Sequence, residues 1–274
     1  MAGGPGESGK PRMPGEPGEQ RRQGEPGELL DLAVPRDCPG CGAPGPLCPR
    51  CRRTLSAPPA QISPRVAVGV PTWSCGPYAG PRRALVISAK ERGDGEARRT
   101  IGSVAAAAVG RLSAEGILSH PSWAPPVFVP APTRDSAARA RGGDPVTAAC
   151  LRAAELIPGA RVARLLKTSE SAADSAGLGA RSRRGNIVGS IEPTRTAAAQ
   201  VAAMIVGRRT RGGGTSAGAG PGARAPLPGA AETGKCPVIL VDDVLTTGAT
   251  AAHSVLVLAS LGVRADLVLV FANA

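Results

Sequence analysis

Thirteen residues near the C-terminus, Val238 to Thr250 (VILVDDVLTTGAT), constrain this chain more than any other stretch. Val238, Ile239, Leu240 and Val241 form an apolar run with no polar alternation, the pattern of a parallel-sheet strand buried on both faces. Two acids follow, Asp242 and Asp243, and then a turn of Thr and Gly from Leu245 to Thr250. Ala251 to Leu261 has helical character. A loop between the carboxyl end of a strand and the start of a helix is where open α/β sheets bind ligands. Unpaired N–H groups at the helix start, with hydroxyls around them, suit a phosphate. Two carboxylates beside that cradle would repel a bare phosphate, so the ligand must bring vicinal ribose hydroxyls or a Mg²⁺ ion. The ligand so described is a ribose 5-phosphate group. The plainer alternative is an ordinary strand-to-helix turn.

This segment resembles the PRPP-binding signature of type I phosphoribosyltransferases. The resemblance implies that Asp242 and Asp243 take the ribose hydroxyls as the catalytic pair. It implies that Thr246, Thr247, Gly248, Ala249 and Thr250 hold the 5′-phosphate, with Mg²⁺ accompanying PRPP. Val127 to Pro130 reads as a short strand, and the Pro-x-Pro turn beyond it leads to Thr133 and Arg134. That is where the family places its pyrophosphate loop, with Arg139 and Arg141 as further local cations. Lys167 to Gly185 is polar and occupies the position of the family's flexible loop. Lys167, Arg181, Arg183 and Arg184 are its candidate contacts to PRPP.

Cysteine spacing carries the second strong signal. Cys38, Cys41, Cys48 and Cys51 form two CxxC pairs separated by six residues. Each turn lets two thiolates converge on one tetrahedral ion, which predicts a structural Zn²⁺ module over 38–60. Disulfides or free thiols are the alternative. Arg50, Arg52 and Arg53 make the module's edge basic, and such a rim is either solvated or a nucleic-acid contact.

Composition enters at the ends of the chain. Residues 1–37 hold five Lys or Arg against seven Asp or Glu and repeat a GEPGE pattern at Gly15–Glu19 and Gly24–Glu28. Apolar content there is too low for a core, so the segment is expected to be a disordered tail. The chain's net charge of +12 thus divides into −2 in this segment and +14 in the body, which suits polyanions. Only Trp73, Tyr78, Trp123, Phe128 and Phe271 are aromatic, a poor supply for stacking single-stranded nucleic acid. No run approaches the ~20 apolar residues of a membrane span, and the N-terminus has no secretory pattern, so a cytoplasmic location is expected.

Between these landmarks, Arg65–Cys75 reads as a strand, and Tyr78–Lys90 and Ala97–Leu112 as helices of a connector over 61–124. Pro145–Ile157 reads as a helix, Arg161–Leu166 and Asn186–Ile191 as strands, Thr196–Val206 as a short helix, and Ala265–Phe271 as a final strand. A Gly, Ala and Pro tract makes 192–234 an insertion in a phosphoribosyltransferase-like domain over 125–274. The predicted fold class is α/β, a type I phosphoribosyltransferase-like parallel sheet flanked by helices behind a Cys₄ module.

The order of Cys₄ module, Tyr78, Lys90-x-Arg92-Gly93, Pro-x-Pro turn, Arg141-Gly142 and DDVLTTGAT resembles the ComF family. The family's RGFNQ pattern is replaced here by Arg141-Gly142-Gly143-Asp144-Pro145. The resemblance implies a link to DNA uptake, with a DNA helicase or a processing protein as partner. Two functions follow from it. One is a phosphoribosyl transfer to a nitrogen acceptor; the other is a non-catalytic accessory role in single-stranded DNA uptake, using the zinc module and the basic surface.

Overall fold

The computed structural model describes residue 1, 37–132, 143–169, 191–209 and 236–274. Residues from Asp37 onward form one compact unit. Its elements in chain order begin with α1 (Pro49–Leu55), β1 (Ala60–Ile62), β2 (Thr72–Ser74), α2 (Gly80–Glu91) and α3 (Gly95–Ala114). There follow β3 (Val127–Pro130), α4 (Pro145–Leu156), β4 (Arg161–Val162), β5 (Leu166–Thr168) and β6 (Ile191–Pro193). The chain closes with α5 (Ala197–Arg209), β7 (Val238–Leu245), α6 (Ala249–Ser260) and β8 (Leu267–Asn273).

Six strands form the central sheet in the order β1-β2-β8-β7-β3-β4. Every pairing is parallel except β1 with β2 at the edge. β5 and β6 make a separate antiparallel pair. The fold is therefore mixed α/β with a mostly parallel central sheet flanked by helices, behind an N-terminal cysteine cluster.

The apolar run of β7 explains its central place. Val238 and Leu240 enter one core with Leu258 of α6, Val129 of β3 and Val268 of β8. Ile239 and Val241 point the other way, among Val109 and Leu112 of α3, Cys150 of α4 and Leu269 of β8. All four are at most 5% exposed. Alternate residues of one strand thus fill opposite cores, which requires an apolar residue at every position. A third cluster joins Leu55 of α1 and Leu85, Val86 and Ala89 of α2 to Phe271 and Ala272 at the end of β8.

Helix boundaries follow local chemistry. Asp94 caps α3 by accepting from Glu96 N–H and Ala97 N–H. Asp144 caps α4 through Val146 N–H and Thr147 N–H, with Pro145 in the first turn. The stretch 61–124 holds α2 and α3, and it also carries β2 into the sheet beside β8. Arg161–Leu166 does not run as one strand. β4 pairs with β3, Ala163–Leu165 turns, and β5 begins at Leu166 to pair with β6. Among the described residues no helix is long and apolar enough to cross a membrane.

Candidate functional site

The four cysteines converge. All four Sγ atoms lie within 4.8 Å of one another, and Cys41 Sγ is 3.7 Å from Cys48 Sγ. Sulfurs on a tetrahedral ion with Zn–S of about 2.3 Å stand about 3.8 Å apart, so the spacing fits zinc. Local folding supplies this arrangement. Cys38 N–H donates to Ala43 O at 2.6 Å, and Gly42 N–H to Cys38 O at 2.8 Å, closing the first turn. Cys48 caps α1, accepting from Cys51 N–H at 3.5 Å, and Pro49 opens the helix. A Cβ on Gly40 would fall 2.9 Å from Cys51 Sγ and 3.2 Å from Pro81 Cβ, so only glycine lets the turn close beside α2.

The thiols are unlike one another. Burial opposes ionisation of Cys38, but the N–H groups of Cys48 and Gly40 outweigh it and bring the thiol down to about 6. Burial and the neighbouring thiols push Cys51 up. All four are free thiols. Four close sulfurs can therefore hold a metal such as zinc, and a closed Cys₄ set of this kind serves structure.

Arg82 fastens the cysteine module to the body. The side chain sits in α2, only 3% exposed, and its Nη2 donates to Thr54 O of the α1 helix at 2.9 Å. Burial pulls its pKa down from the usual guanidinium range. Cys75 lies near it, and burial pushes that thiol up to about 12.

The second candidate site lies on β7. The strand does not end at the acids, because its ladder with β8 continues to the Leu245 and Asn273 pair. Asp242 and Asp243 therefore sit within the strand. Asp242 Oδ1 accepts from Asp243 N–H at 2.8 Å, and Asp243 Oδ1 accepts from Val244 N–H at 2.7 Å. Asp243 is 7% exposed. Its Oδ2 meets Lys90 Nζ of α2 at 2.8 Å as an ion pair, without the alignment of a hydrogen bond and, among the described residues, with no other hydrogen-bond partner.

Asp242 has an opposite character. Burial and then the charge of Asp243 push its carboxyl up to about 8, against the pull of Asp243 N–H and Lys90. A small cavity beside both acids is lined by Cys75, Val86, Ala149, Val241 and Leu269, and Asp242 is itself half-buried, with some surface left to solvent. The cavity's volume of about 10 Å³ has room for about one water, so it is a packing gap and not a ligand chamber. Two neighbouring acids, one ion-paired and one pushed toward its protonated form, can accept from and donate to a pair of hydroxyls.

Beyond the acids, Thr246 and Thr247 are exposed, while Ala249 and Thr250 are half-buried. Gly248 caps α6 with φ of 91°, a left-handed conformation that glycine adopts without penalty. Thr247 Oγ1 accepts from Ala249 N–H at 3.3 Å, and Thr247 O accepts from Val66 N–H at 2.9 Å. The latter bond brings the connection between β1 and β2 against the loop. Acids, hydroxyls and helix start thus lie along one continuous segment.

Other predicted residues fall elsewhere. Thr133 and Arg134 lie outside the described residues, as do Arg139, Arg141, Arg181, Arg183 and Arg184. Lys167 is described, and its Nζ meets Glu192 Oε2 at 3.4 Å across the β5 and β6 pair. The Ser169 hydroxyl and then Lys167 hold the Glu192 carboxyl below its usual range. Two contributors escaped residue-level reading, Lys90 on Asp243 and Arg82 on Thr54. Lys90 stood only in the Lys90-x-Arg92-Gly93 run, and nothing local told that it would reach a strand 153 positions later. No protein-family model matches the chain, and no curated protein matches its sequence.

Proposed function

We propose that Asp242 to Thr250 bind a ribose 5-phosphate group, with PRPP accompanied by Mg²⁺ as the ligand. The observation that carries this reading is the continuity of paired acids, hydroxyl-rich turn and glycine-capped helix on the central strand. Asp242 and Asp243 take the ribose 2′- and 3′-hydroxyls. Thr246, Thr247, Gly248, Ala249 and Thr250 surround the 5′-phosphate with hydroxyls and the N–H groups of the α6 start. The oxygen-only donors of this segment are compatible with a hard cation carried on the ligand. Mg²⁺ supplies neutralising charge for the pyrophosphate of PRPP.

The proposed reaction is transfer of the phosphoribosyl group to a nitrogen acceptor. Pyrophosphate leaves toward Thr133 and Arg134, and no protein nucleophile is required. Catalysis is then positioning and charge stabilisation. The type I phosphoribosyltransferase fold and ComF-type membership belong to this proposal, supported by the parallel sheet, the Cys₄ cluster and the DDVLTTGAT segment. Calorimetric titration of PRPP with Mg²⁺ into wild type, Asp242→Asn and Asp243→Asn tests it. Weaker binding by both variants is expected; equal affinity in all three overturns the reading.

A second reading rests on Arg50, Arg52 and Arg53, which are exposed on the helix that carries Cys51. In it the protein is a non-catalytic accessory that offers this basic edge to single-stranded DNA or to a DNA helicase during DNA uptake. Binding of a DNA strand that weakens steeply between low and moderate salt, and disappears on chelation, supports this role. Binding indifferent to chelation removes the module from it.

A further inference from the structure

We propose that Lys90 is a positioning residue for the paired acids, holding the Asp243 carboxylate turned so that it accepts from a ribose hydroxyl. This inference rests on the ribose 5-phosphate reading of Asp242 to Thr250 and deepens it. The geometry at Asp243 divides its two oxygens. Oδ1 is engaged by Val244 N–H at 2.7 Å, and Oδ2 faces Lys90 Nζ at 2.8 Å with no hydrogen bond of its own among the described residues. Each carboxylate oxygen can accept more than one hydrogen bond, so both keep capacity for a ligand. A cation at Oδ2 fixes the rotation of the carboxylate, because Asp243 is 7% exposed and its neighbours on the strand are packed.

Lys90 is itself delivered by a rigid support. The last turn of α2 is clamped to α3 at several points. Ser88 Oγ donates to Asp94 Oδ2 at 2.8 Å, and Asp94 N–H donates to Ser88 O at 3.2 Å. Arg98 Nε of α3 donates to Ala89 O at 3.3 Å. Ala89, Val86 and Leu85 pack on Phe271 of β8, the strand beside β7. Hydrogen bonds from Ser88, Ala97 N–H and Glu96 N–H hold the Asp94 carboxyl below its usual range despite partial burial, so the clamp keeps its charge.

The side chain of Lys90 is 36% exposed, whereas that of Asp243 is 9% exposed. Among the described residues the ammonium is therefore half-buried, with the buried acid on one side. An exposed ion pair between two mobile side chains contributes little. This pair differs because one member is buried and the other is carried by a clamped helix.

The test uses the full chain and three probes: ribose 5-phosphate, 2-deoxyribose 5-phosphate and inorganic phosphate. Wild type, Lys90→Met, Lys90→Arg, Asp243→Asn and the Lys90→Met/Asp243→Asn pair are titrated by calorimetry, with thermal melts to verify folding. Lys90→Met is expected to weaken ribose 5-phosphate by about tenfold, the lower end of what a hydrogen bond to a charged group contributes. Inorganic phosphate, which needs only the loop, stays within about twofold. Lys90→Arg recovers most of the loss, and the double variant binds no more weakly than Asp243→Asn alone.

Unchanged ribose 5-phosphate binding in Lys90→Met, with wild type preferring it over phosphate, overturns the inference and spares the ligand reading. An equal loss for phosphate and ribose 5-phosphate also overturns it, since Lys90 would then act only on the fold. Absence of any ribose 5-phosphate binding by wild type overturns the ligand reading and this inference together.

Discussion

Pro64 packs so closely on Gly248 that a Cβ at position 248 would stand 2.7 Å from Pro64 Cβ and 3.0 Å from Val66 O. The contact joins the connection between β1 and β2 to the start of α6. Gly248→Ala must bear both a left-handed backbone, with φ of 91°, and a collision with the Pro64 ring and the Val66 carbonyl. A cost of about 3 kcal/mol is expected. Gly262, with φ of 72° and no described residue within 4 Å of a Cβ, provides the comparison, and Gly262→Ala should cost about 1 kcal/mol. Urea denaturation of both variants measures the difference. Similar midpoints would mean that the close packing on Gly248 is not energetically important.

The raised pKa of Asp242 predicts a pH dependence of stability. The folded protein holds this proton up to about pH 8, while an unfolded carboxyl releases it near 3.9. The contribution is therefore whole below about pH 4 and is lost as pH rises toward 8. Asp242→Asn stays neutral and keeps an acceptor for Asp243 N–H. Its urea midpoint should match wild type near pH 4 and exceed it near pH 8.5. Matching midpoints at both pH values would show that the folded carboxyl titrates as an ordinary one.

Metal removal should release the cysteine module and spare the sheet. The purified protein is expected to carry about one zinc per chain by elemental analysis, and Cys51→Ser to carry much less. Chelation frees α1, where Arg50, Arg52 and Arg53 are exposed but held in helix. Trypsin should then cut there at least about tenfold faster, because proteolysis follows the population of the opened form. A cutting rate indifferent to chelation would show that metal does not hold the module.

Arg82 is expected to be costly to remove. Arg82→Ala leaves Thr54 O without its donor and a gap beneath Gly76, whose added Cβ would lie 2.6 Å from Arg82 Cζ. A loss of about 3 kcal/mol is expected, typical of a buried hydrogen-bonded charge. Faster transfer of zinc to a colorimetric chelator should accompany it, since α1 would dock less firmly. A stability loss without faster metal release would separate Arg82 from the module.

Much of the body was legible because its elements carry strong local patterns. Val127–Pro130 was read with the boundaries it has, and the helix expected over Pro145–Ile157 runs Pro145–Leu156. Both are bounded by proline chemistry that leaves little choice of ends. β7 was read as ending at the acids, yet it runs to Leu245, because pairing with β8 is a long-range fact with no local signature. The second CxxC is expected as a turn and no helix is expected beyond it, although Cys48 followed by Pro49 is a cap followed by a favoured first helical residue. β1 was not anticipated, since three residues at a sheet edge show no period. At the candidate sites, the cysteine cluster was legible from spacing alone. The Lys90 contact was not, because a charge on a helix surface does not announce which strand it will face.

The position of β7 bears on how a site built upon it can move. Over Val238–Val241, flanked on both sides by parallel partners and covered on both faces, its amide hydrogens should be among the slowest to exchange with solvent. Backbone bonds of this kind open chiefly when the whole molecule unfolds. Asp242 and Asp243 extend directly from that stretch, beside β8 alone, while Thr246 and Thr247 sit just past the strand's end. Accommodation of a ligand falls to that rim and to the helices, and the acids serve as the stationary reference against which everything else adjusts.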